Sequence, residues 1–266
     1  MAILFDEKEK VFYLNTPNST YAMGIFGGAL ISHMYWGKPV RNFPKADVLA
    51  PHSEEPCSAM DAWLPESISS ELVQLEYGVE GGTDRRYPAL EITLNGRSAI
   101  PQLKYIKHDI FKGKKSLEGL PATYVENDDE ADTLEITLAD SLSGVEVVLS
   151  YTIFADRDVI TRNVRIKNNN ENPVQIKKAL SACLDIEDSE FDILHLPGAV
   201  RRECNVERIP LTRGNMLFSS SRGVSSHMQN PFLALLRKNT SEHAGECFGF
   251  SLIYSGEFEL GVEYNH

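Results

Sequence analysis

A chain of 266 residues, 42% of them hydrophobic and 24% charged, can bury the core of one large all-β domain or of two smaller domains. Its net charge of −12 repels the phosphates of nucleic acids and of anionic lipids, so we expect neither nucleic acid nor membrane as a partner. Neutral ligands and protein partners remain compatible with this composition.

Targeting signals are not evident in the sequence. The first residues, MAILFDEKEK, contain no basic region and no long apolar stretch, and no window approaches 18 uninterrupted apolar residues. We therefore predict no secretory signal, no membrane span and a cytoplasmic location. The four scattered cysteines, Cys57, Cys183, Cys204 and Cys247, contain no C-x-x-C pair, which predicts free thiols.

Short strands are predicted along most of the chain, because β-branched and aromatic runs alternate with Asn, Asp, Gly and Pro. In the N-terminal half the runs are KVFYLNT (10–16), TYAMGIFGGALISHMYWG (20–37), ALEITLNG (89–96), LKYIKHDIFKG (103–113) and DTLEITLAD (132–140). They continue with GVEVVLSYTIF (144–154), DVITRNVRIKN (158–168), VQIKKALSACLDI (174–186), PFLALLRKN (231–239), CFGFSLIYSG (247–256) and FELGVEY (258–264).

Alternation with a period of two marks these runs as antiparallel strands. In residues 132–140 the period places Leu134, Ile136 and Leu138 on one face, and Thr133, Glu135 and Thr137 on the other. No long helical pattern is present, and about 15 strands without a helical layer predict an all-β fold. We expect a large antiparallel β-sandwich with few short helices.

The segment from Asn42 to Glu71 has a different composition from the rest of the chain. It contains four prolines, few β-branched residues and no sustained alternation. Because an irregular segment of this length in a compact domain is usually functional or disordered, we predict a functional excursion here. At its end, SISSELVQLEYG (67–78) predicts a single helical turn capped by Ser69 or Ser70, whereas the acidic ENDDEAD (126–132) predicts a solvated hairpin tip.

Motifs of common catalytic and cofactor sites are absent from the sequence. It contains no H-E-x-x-H, G-x-S-x-G, P-loop or G-x-G-x-x-G pattern, and its seven histidines show no i,i+2 or i,i+4 pairing. We therefore predict no metal site and no cofactor.

The tripeptide Ser225-Ser226-His227 suggests the nucleophile and base of a hydrolase. Adjacent residues on a strand point to opposite faces, so a sequential Ser-His pair seldom brings the two groups together. We predict instead that His227 hydrogen-bonds to backbone in a loop closed by Asn230-Pro231. The preceding HLPGA (195–199) predicts a strand end followed by a Pro-Gly turn.

Two charged stretches are predicted to fix loops and surfaces. In EYGVEGGTDRRYPAL (76–90), Asp84 and Arg86 follow a Gly-Gly turn, which favours an ion pair that fixes the loop, with carbohydrate contact as the alternative. In RRECNVER (201–208), three arginines interleave with two glutamates, which predicts a salt-bridged surface.

Seven collinear stretches together resemble the bacterial α-galactosidases of glycoside hydrolase family 36. They are HMYWGK (33–38), LEYGVEGGTDRRYPAL (75–90), KGKKSLEGLPATYVE (112–126), VITRNVRIKN (159–168), LHLPGAVRRECNVERIPL (194–211), RGVSSHMQNPFLAL (222–235) and GFSLIYSGEF (249–258). The resemblance runs from Val11 to Phe258, nearly the whole chain.

This resemblance implies the galactose-mutarotase-like β-supersandwich that begins such enzymes, here residues 1–266 and incomplete at the C-terminal end. It implies a catalytic (β/α)8 barrel downstream, which carries the two catalytic aspartates, so no catalytic residue is expected in this chain. The implied activity of the whole enzyme is retaining hydrolysis of terminal α-galactosides such as melibiose and raffinose. By itself, the fragment is expected to be inactive.

The resemblance also implies a homo-oligomer, tetrameric in the family, in which the long N-terminal segment reaches the active site of a neighbouring subunit. In this sequence, NFPKAD places Asp47 where the family has an aspartate that binds galactose. The alternative is a stand-alone carbohydrate-binding β-sandwich in which Trp36 and Trp63 stack on sugar rings. A third class, a serine- or metal-dependent hydrolase that uses His227, is testable by substitution of that residue.

Overall fold

The computed structural model describes residues 2–43, 69–81, 83–224 and 227–264. This part of the chain contains seventeen strands and two short 3-10 turns, so the predicted all-β fold is confirmed. The first strands are β1 (Ile3–Asp6), β2 (Val11–Asn15), β3 (Thr20–Phe26), β4 (Leu30–Gly37), β5 (Leu90–Leu94), β6 (Arg97–Ala99), β7 (Lys104–Lys112), β8 (Ala131–Ala139) and β9 (Val145–Phe154). The others are β10 (Arg157–Asn168), β11 (Val174–Ala179), β12 (Phe191–Pro197), β13 (Glu207–Pro210), β14 (Gly214–Ser220), β15 (Gln229–Arg237), β16 (Cys247–Ser251) and β17 (Phe258–Tyr264).

The chain divides into two compact units. Unit 1 comprises Met1–Lys115 and Tyr124–Asp185, and unit 2 comprises Ser116–Thr123 and Ile186–His266. Unit 1 contains the antiparallel sheets β1-β2-β3-β4, β10-β9-β8-β7 and β11-β5-β6. Unit 2 contains the four-stranded sheet β13-β12-β15-β16 and the two-stranded sheet β14-β17.

The core of unit 1 contains apolar side chains from all three of its sheets. Phe12, Leu90 and Leu134 are fully buried members, from β2, β5 and β8. At about 25 cal/mol per Å² of apolar surface removed from water, such a core is the main source of the unit's stability.

Strand β8 is buried on both faces, which the alternation pattern does not reveal. Leu134, Ile136 and Leu138 lie in the core as predicted, but Thr133 and Thr137 are buried as well. The hydroxyl of Thr133 donates to the carbonyl of Gly113 at 2.7 Å, so this buried polar group is hydrogen-bonded. The face of β8 that carries Thr133 and Thr137 is therefore buried rather than exposed to solvent.

The long run 20–37 folds into two strands rather than one. Gly27 and Gly28 adopt positive φ angles of 55° and 70°, and Phe26 pairs with Leu30 across the turn. Glycine reaches this left-handed region without strain, so the Gly-Gly pair allows the chain to reverse between β3 and β4.

The core of unit 2 is smaller. Phe191 and Ile193 of β12, Phe218 of β14, and Leu233 and Leu235 of β15 form its buried cluster. Eight further apolar side chains pack against these residues and remain partly exposed. Unit 2 therefore buries less apolar surface in its core than unit 1 does.

Strand β15 begins earlier than the sequence indicates. Asn230-Pro231 was predicted to close a loop, but both residues lie inside β15, which starts at Gln229. A β-bulge between His195 and Pro197 of the partner strand shifts the register there, and such irregular positions tolerate proline. The predicted end of β12 at Pro197 is confirmed.

The short helical features are 3-10 turns. One spans Ser70–Leu72 with Ser69 at its N-cap, and the other spans Asp128–Glu130 in the exposed acidic tip between β7 and β8. In the described ranges, no helix is long and apolar enough to cross a membrane. Cys183, Cys204 and Cys247 are free thiols, and Cys57 lies outside the described residues.

Candidate functional site

A short extended segment places a glutamate inside unit 1. The backbone N–H of Glu76 donates to the carbonyl of Ile31 at 3.0 Å, and that of His33 donates to the carbonyl of Gln74 at 2.7 Å. These bonds attach residues 74–76 to β4 as an additional short strand. As a result, the side chain of Glu76 is fully buried.

Four polar side chains from two sheets converge on this carboxylate. Oε1 accepts a hydrogen bond from the hydroxyl of Tyr21 at 2.5 Å and lies 3.1 Å from Nδ1 of His33. Oε2 accepts from the hydroxyl of Tyr151 at 2.7 Å and lies 3.3 Å from Nη2 of Arg162. We call these five residues the Glu76 cluster; it connects β3 and β4 of one sheet with β9 and β10 of another.

The electrostatics of the Glu76 cluster favour the ionised carboxylate. Burial alone would raise the pKa of Glu76, but the Arg162 guanidinium and the hydrogen bonds from His33 and Tyr21 lower this pKa to about 2. Burial and the neighbouring carboxylate raise the pKa of the Tyr21 hydroxyl well above its usual value. Burial likewise raises the pKa of the Tyr151 hydroxyl, although the Arg162 guanidinium opposes that shift. Both phenols therefore donate to a charged acceptor, which is the stronger type of hydrogen bond.

Arg162 also hydrogen-bonds to the backbone around the Glu76 cluster. Nη1 donates to the carbonyl of Cys183 at 2.6 Å, and Nη2 donates to the carbonyl of Glu76 at 3.0 Å. The guanidinium therefore orients both the segment around residue 76 and the segment around residue 183. A buried ion pair contributes little net stability, but it penalises every arrangement in which one partner is left alone.

The predicted loop-fixing residues Asp84 and Arg86 form a second cluster next to Glu76. Arg86 Nε donates to Asp84 Oδ1 at 2.8 Å, and Nη1 donates to Asp185 Oδ2 at 2.5 Å. Nη2 donates to the carbonyls of Ser70 and Val73 at 3.1 and 2.8 Å. We call this arrangement the Arg86 fork; its planar donors hold residues 70–73 against the segment around residue 185.

The surroundings of the Arg86 fork shift two more pKa values. Burial raises the pKa of Asp185, although the Arg86 guanidinium opposes this shift. Burial also raises the pKa of the Cys183 thiol to about 11, with Asp185 adding to the effect. Cys183 is therefore protonated at neutral pH and should react slowly.

Hydrogen bonds hold the chain on both sides of residues 44–68. On the N-terminal side, the N–H of Phe43 donates to the hydroxyl of Tyr13 at 2.8 Å, and the N–H of Val40 donates to the hydroxyl of Thr20 at 3.2 Å. On the C-terminal side, the Arg86 fork binds the carbonyl of Ser70. Both attachment points of the predicted functional excursion are therefore hydrogen-bonded to side chains of unit 1.

The remaining predicted site residues lie apart from these clusters. Asp47 and the serines at 225 and 226 fall outside the described residues. His227 is half-buried in the turn before β15, and its carbonyl oxygen closely approaches the position that a Cβ on Gly198 would occupy. That approach explains the glycine of HLPGA, whereas the predicted hydrogen bond of the His227 side chain stays a prediction.

The predicted salt-bridged surface at 201–208 is only partly realised. Arg208 Nε pairs with Asp192 at 2.8 Å, and its other nitrogens donate to the carbonyls of Arg237, Lys238 and Thr240. Arg201 and Arg202, in the turn between β12 and β13, form no ion pair with a described residue. Trp36, proposed as a sugar platform, packs edge-on against Tyr21 with ring centroids 5.9 Å apart.

Sequence reasoning did not find the partners of Glu76, which come from four different strands. The available signal was a glutamate between Leu75 and Tyr77, together with tyrosines in the largely apolar strands β3 and β9. Among the described residues, no group of three or more His, Cys, Asp or Glu side chains is arranged to hold a metal ion. The hydrogen bonds of the Glu76 cluster and the Arg86 fork are chemically suited to fix the backbone around residues 70–86.

Fold and site together define an all-β sandwich protein in which two buried ionic clusters fix the backbone of residues 70–76. Among known families, the model of the glycosyl hydrolase family 36 N-terminal domain matches residues 29–266 of this chain. The chain therefore belongs to glycoside hydrolase family 36, in the region of its N-terminal domain.

Curated relatives and solved structures agree with this assignment. The chain is 40% identical over 269 residues to alpha-galactosidase AgaA of Geobacillus stearothermophilus, covering 99% of this chain and 36% of the relative. It is 38% identical to alpha-galactosidase Mel36A of Lactobacillus acidophilus, covering 98% and 36%. The crystal structure of alpha-galactosidase AgaB of G. stearothermophilus matches with a TM-score of 0.89 and 41% identity, covering 99% of this chain and 36% of that chain.

A structure of AgaA in complex with raffinose matches with a TM-score of 0.91 and 42% identity, covering 96% of this chain and 35% of that chain. A further AgaA structure contains stachyose. The chain thus spans about a third of the length of the relatives it matches.

Proposed function

We propose that this chain is the non-catalytic N-terminal domain of an α-galactosidase. The observation that carries the proposal is the family match over residues 29–266, together with relatives that are α-galactosidases of which the chain spans about a third. In this proposal the groups that break the glycosidic bond belong to a (β/α)8 barrel outside these residues. The reaction of the whole enzyme is retaining hydrolysis of terminal α-galactosides, with one carboxylate as nucleophile and another as acid and base.

Raffinose and melibiose are the proposed substrates of the whole enzyme. Support for raffinose comes from the AgaA structure that contains it, a relative 42% identical to this chain. The residues described here contribute by assembly and by shaping the site, and the cytoplasmic location stays a prediction.

The segment between the two anchored ends is proposed to shape the active site of a neighbouring subunit. Phe43 and Ser70, on either side of residues 44–68, are held by Tyr13 and by the Arg86 fork, which supports this role. Asp47 is the proposed acceptor for a galactose hydroxyl in that neighbouring site, within a homo-oligomer. A carboxylate acceptor contributes about 1.5–3 kcal/mol to such a hydrogen bond.

The test of this function is hydrolysis by the protein encoded by the complete gene. We expect it to hydrolyse a chromogenic α-galactoside, melibiose and raffinose, and to release galactose first as the α-anomer by NMR. The isolated 266-residue chain should show no turnover. Hydrolysis by the isolated chain, or a complete protein with no activity on any α-galactoside, would contradict the proposal.

The role of Asp47 is tested in the same complete enzyme. Asp47→Asn should raise KM for raffinose by about 10-fold or more, because each 1.4 kcal/mol corresponds to a factor of ten. Asp61→Asn, in the same segment, is the matched control and should leave KM within about twofold. Equal effects of the two substitutions would refute a specific contact at Asp47.

A further inference from the structure

The hairpin between β5 and β6 reverses direction at two exposed residues, Asn95 and Gly96. Their φ angles are 50° and 74°, and Leu94 pairs with Arg97 on either side of them. Positive φ at both central residues of a two-residue connection is typical of a type I′ turn, for which Asn-Gly is a favoured sequence. The same dipeptide also has a chemical reactivity that the turn does not require.

An asparagine that precedes a glycine can form a ring with the main chain. Hydroxide removes the proton of the glycine backbone nitrogen, which attacks Cγ of the asparagine, so that a C–N bond forms and the side-chain amide leaves as ammonia. Water then opens the resulting succinimide at one of its two carbonyls. One opening gives aspartate, and the other gives isoaspartate, in which the main chain runs through the former side-chain carbon. Water is the only co-reactant that this conversion consumes.

The position of Gly96 leaves room for this ring closure. Asn95 is the only asparagine of the sequence that a glycine follows. Apart from the chain neighbours of Gly96, no heavy atom lies within 4 Å of the position that a Cβ on this residue would occupy. Because glycine has no Cβ of its own, Cγ of Asn95 can approach the Gly96 nitrogen without obstruction.

Hydrogen bonds restrain the side chains of other exposed asparagines. Nδ2 of Asn18 donates to Asp158 at 2.8 Å, and Nδ2 of Asn127 donates to Glu130 at 3.2 Å. Each of these two asparagines also precedes a residue that has a side chain. The amide of Asn95 has no hydrogen bond of this kind within the described part of the chain.

The hairpin lies where local opening disturbs little of the core. Strand β6 is the outer strand of the sheet β11-β5-β6 and pairs with β5 through three residues. Segments with solvent-exposed hydrogen bonds and few buried contacts open most readily. The turn can therefore reach the geometry of ring closure while Leu90 and Ile92 of β5 stay fully buried.

We propose that Asn95-Gly96 is a self-modification site, at which the folded protein converts the asparagine to aspartate and isoaspartate. The isoaspartyl linkage adds one methylene to the main chain inside a two-residue turn. Because loop length and turn type fix the register of a hairpin, the lengthened turn no longer matches the pairing of Leu94 with Arg97. Strand β6 then loses pairing to β5, and the chain gains one negative charge beside Arg97.

Ageing of the complete enzyme at mildly alkaline pH tests the reaction. Mass spectrometry of the digested protein measures conversion at each asparagine, and protein L-isoaspartyl methyltransferase is the probe for isoaspartate. Conversion at Asn95 should be at least about tenfold faster than at Asn18 or Asn127, because only glycine leaves the attacking nitrogen unhindered. The rate should rise in proportion to the hydroxide concentration.

Two substitutions separate the chemistry from the turn. Asn95→Gly keeps a sequence that type I′ turns favour but removes the amide, so isoaspartate should not form at this position. Asn95→Asp supplies the charge of one product without the additional methylene. Hydrogen exchange at the amides of β6 should be faster in the aged wild-type enzyme than in the fresh one. Aged Asn95→Gly and fresh Asn95→Asp should both exchange like the fresh wild type.

Three results would overturn the proposal. If Asn95 stays unmodified in the native enzyme while a synthetic peptide of residues 91–99 reacts, the fold protects the dipeptide. Equal conversion at Asn18 and Asn95 would remove the role assigned to Gly96. Unchanged exchange in β6 after isoaspartate has formed would contradict the effect on the strand. None of these readouts involves galactoside hydrolysis, so the outcome is independent of the proposed function.

Discussion

Replacement of Glu76 by glutamine tests the physical account of unit 1 most directly. Glutamine keeps the size of the side chain and one carbonyl acceptor, but removes the charge that faces Arg162. The guanidinium, with Nη2 3.3 Å from Oε2 of Glu76, then has no anionic partner within the cluster. The amide nitrogen that replaces one oxygen also faces the hydroxyl of Tyr21 or Tyr151, each of which now donates to an oxygen.

The magnitude follows from the pKa of Glu76. This pKa lies at about 2 in the folded chain, against 4.5 for an unperturbed glutamate. Each pKa unit corresponds to about 1.4 kcal/mol, so the difference represents about 3 kcal/mol in favour of the ionised carboxylate. Loss of one partner from a buried ion pair typically costs about 3–5 kcal/mol. We therefore expect Glu76→Gln to lower the free energy of unfolding by about 3 kcal/mol at pH 7.

The same difference predicts a dependence on pH. Because the pKa is lower in the folded than in the unfolded chain, the carboxylate contributes its full stabilisation above about pH 4.5. That contribution is lost as the pH falls from 4.5 towards 2, where the folded chain also binds the proton. The difference in the free energy of unfolding between wild type and Glu76→Gln should therefore decrease from about 3 kcal/mol at pH 7 to under about 1 kcal/mol near pH 2.

Urea unfolding, monitored by tryptophan fluorescence, measures this difference in the free energy of unfolding, because Trp36 packs against Tyr21 of the Glu76 cluster. Asp156→Asn is the control, since Asp156 forms an exposed ion pair with Arg157 and should leave the urea midpoint unchanged. A cost below about 1 kcal/mol at pH 7, or an equal cost at pH 7 and pH 2.5, would refute the reasoning.

Three further outcomes follow from the described contacts. Arg86→Lys should cost about 2–4 kcal/mol in urea unfolding, because lysine cannot reproduce the planar fork and leaves buried acceptors unpaired; a cost below about 0.5 kcal/mol would contradict the fork. Gly198→Ala should cost about 1–3 kcal/mol through overpacking, whereas Gly249→Ala, with its nearest neighbour at 3.7 Å, should be neutral or slightly stabilising in the same assay. In the isolated chain at pH 8, a disulfide reagent should modify exposed Cys204 within minutes and half-buried Cys183 much more slowly, because desolvation raises the pKa of Cys183 to about 11; equal rates for the two thiols would contradict that raised pKa.

Local sequence patterns were sufficient to predict the strands and the contacts between residues close in sequence. The ion pair between Asp84 and Arg86 joins residues two positions apart beside a turn, so spacing and residue type indicated it. The end of β12 at Pro197 followed from proline and glycine chemistry. The run 20–37 was not divided, because Gly27 and Gly28 interrupt it without any change in hydrophobicity.

Contacts between distant strands could not be predicted in this way. Glu76 meets Tyr151, 75 positions away, and Arg162, 86 positions away, only because two sheets face each other. Burial of Thr133 on the second face of β8 likewise depends on what covers that face. The period of two shows that polar and apolar residues alternate along a strand, but it does not identify the sheet that packs against either face.

The sequence by itself determined that this protein is an all-β chain, since that follows from local composition and period. The collinear motifs were also sufficient to assign the chain to its family, because such motifs are a property of the sequence alone. Only the tertiary structure decided that Glu76 is a buried anion, since its environment is assembled from four strands.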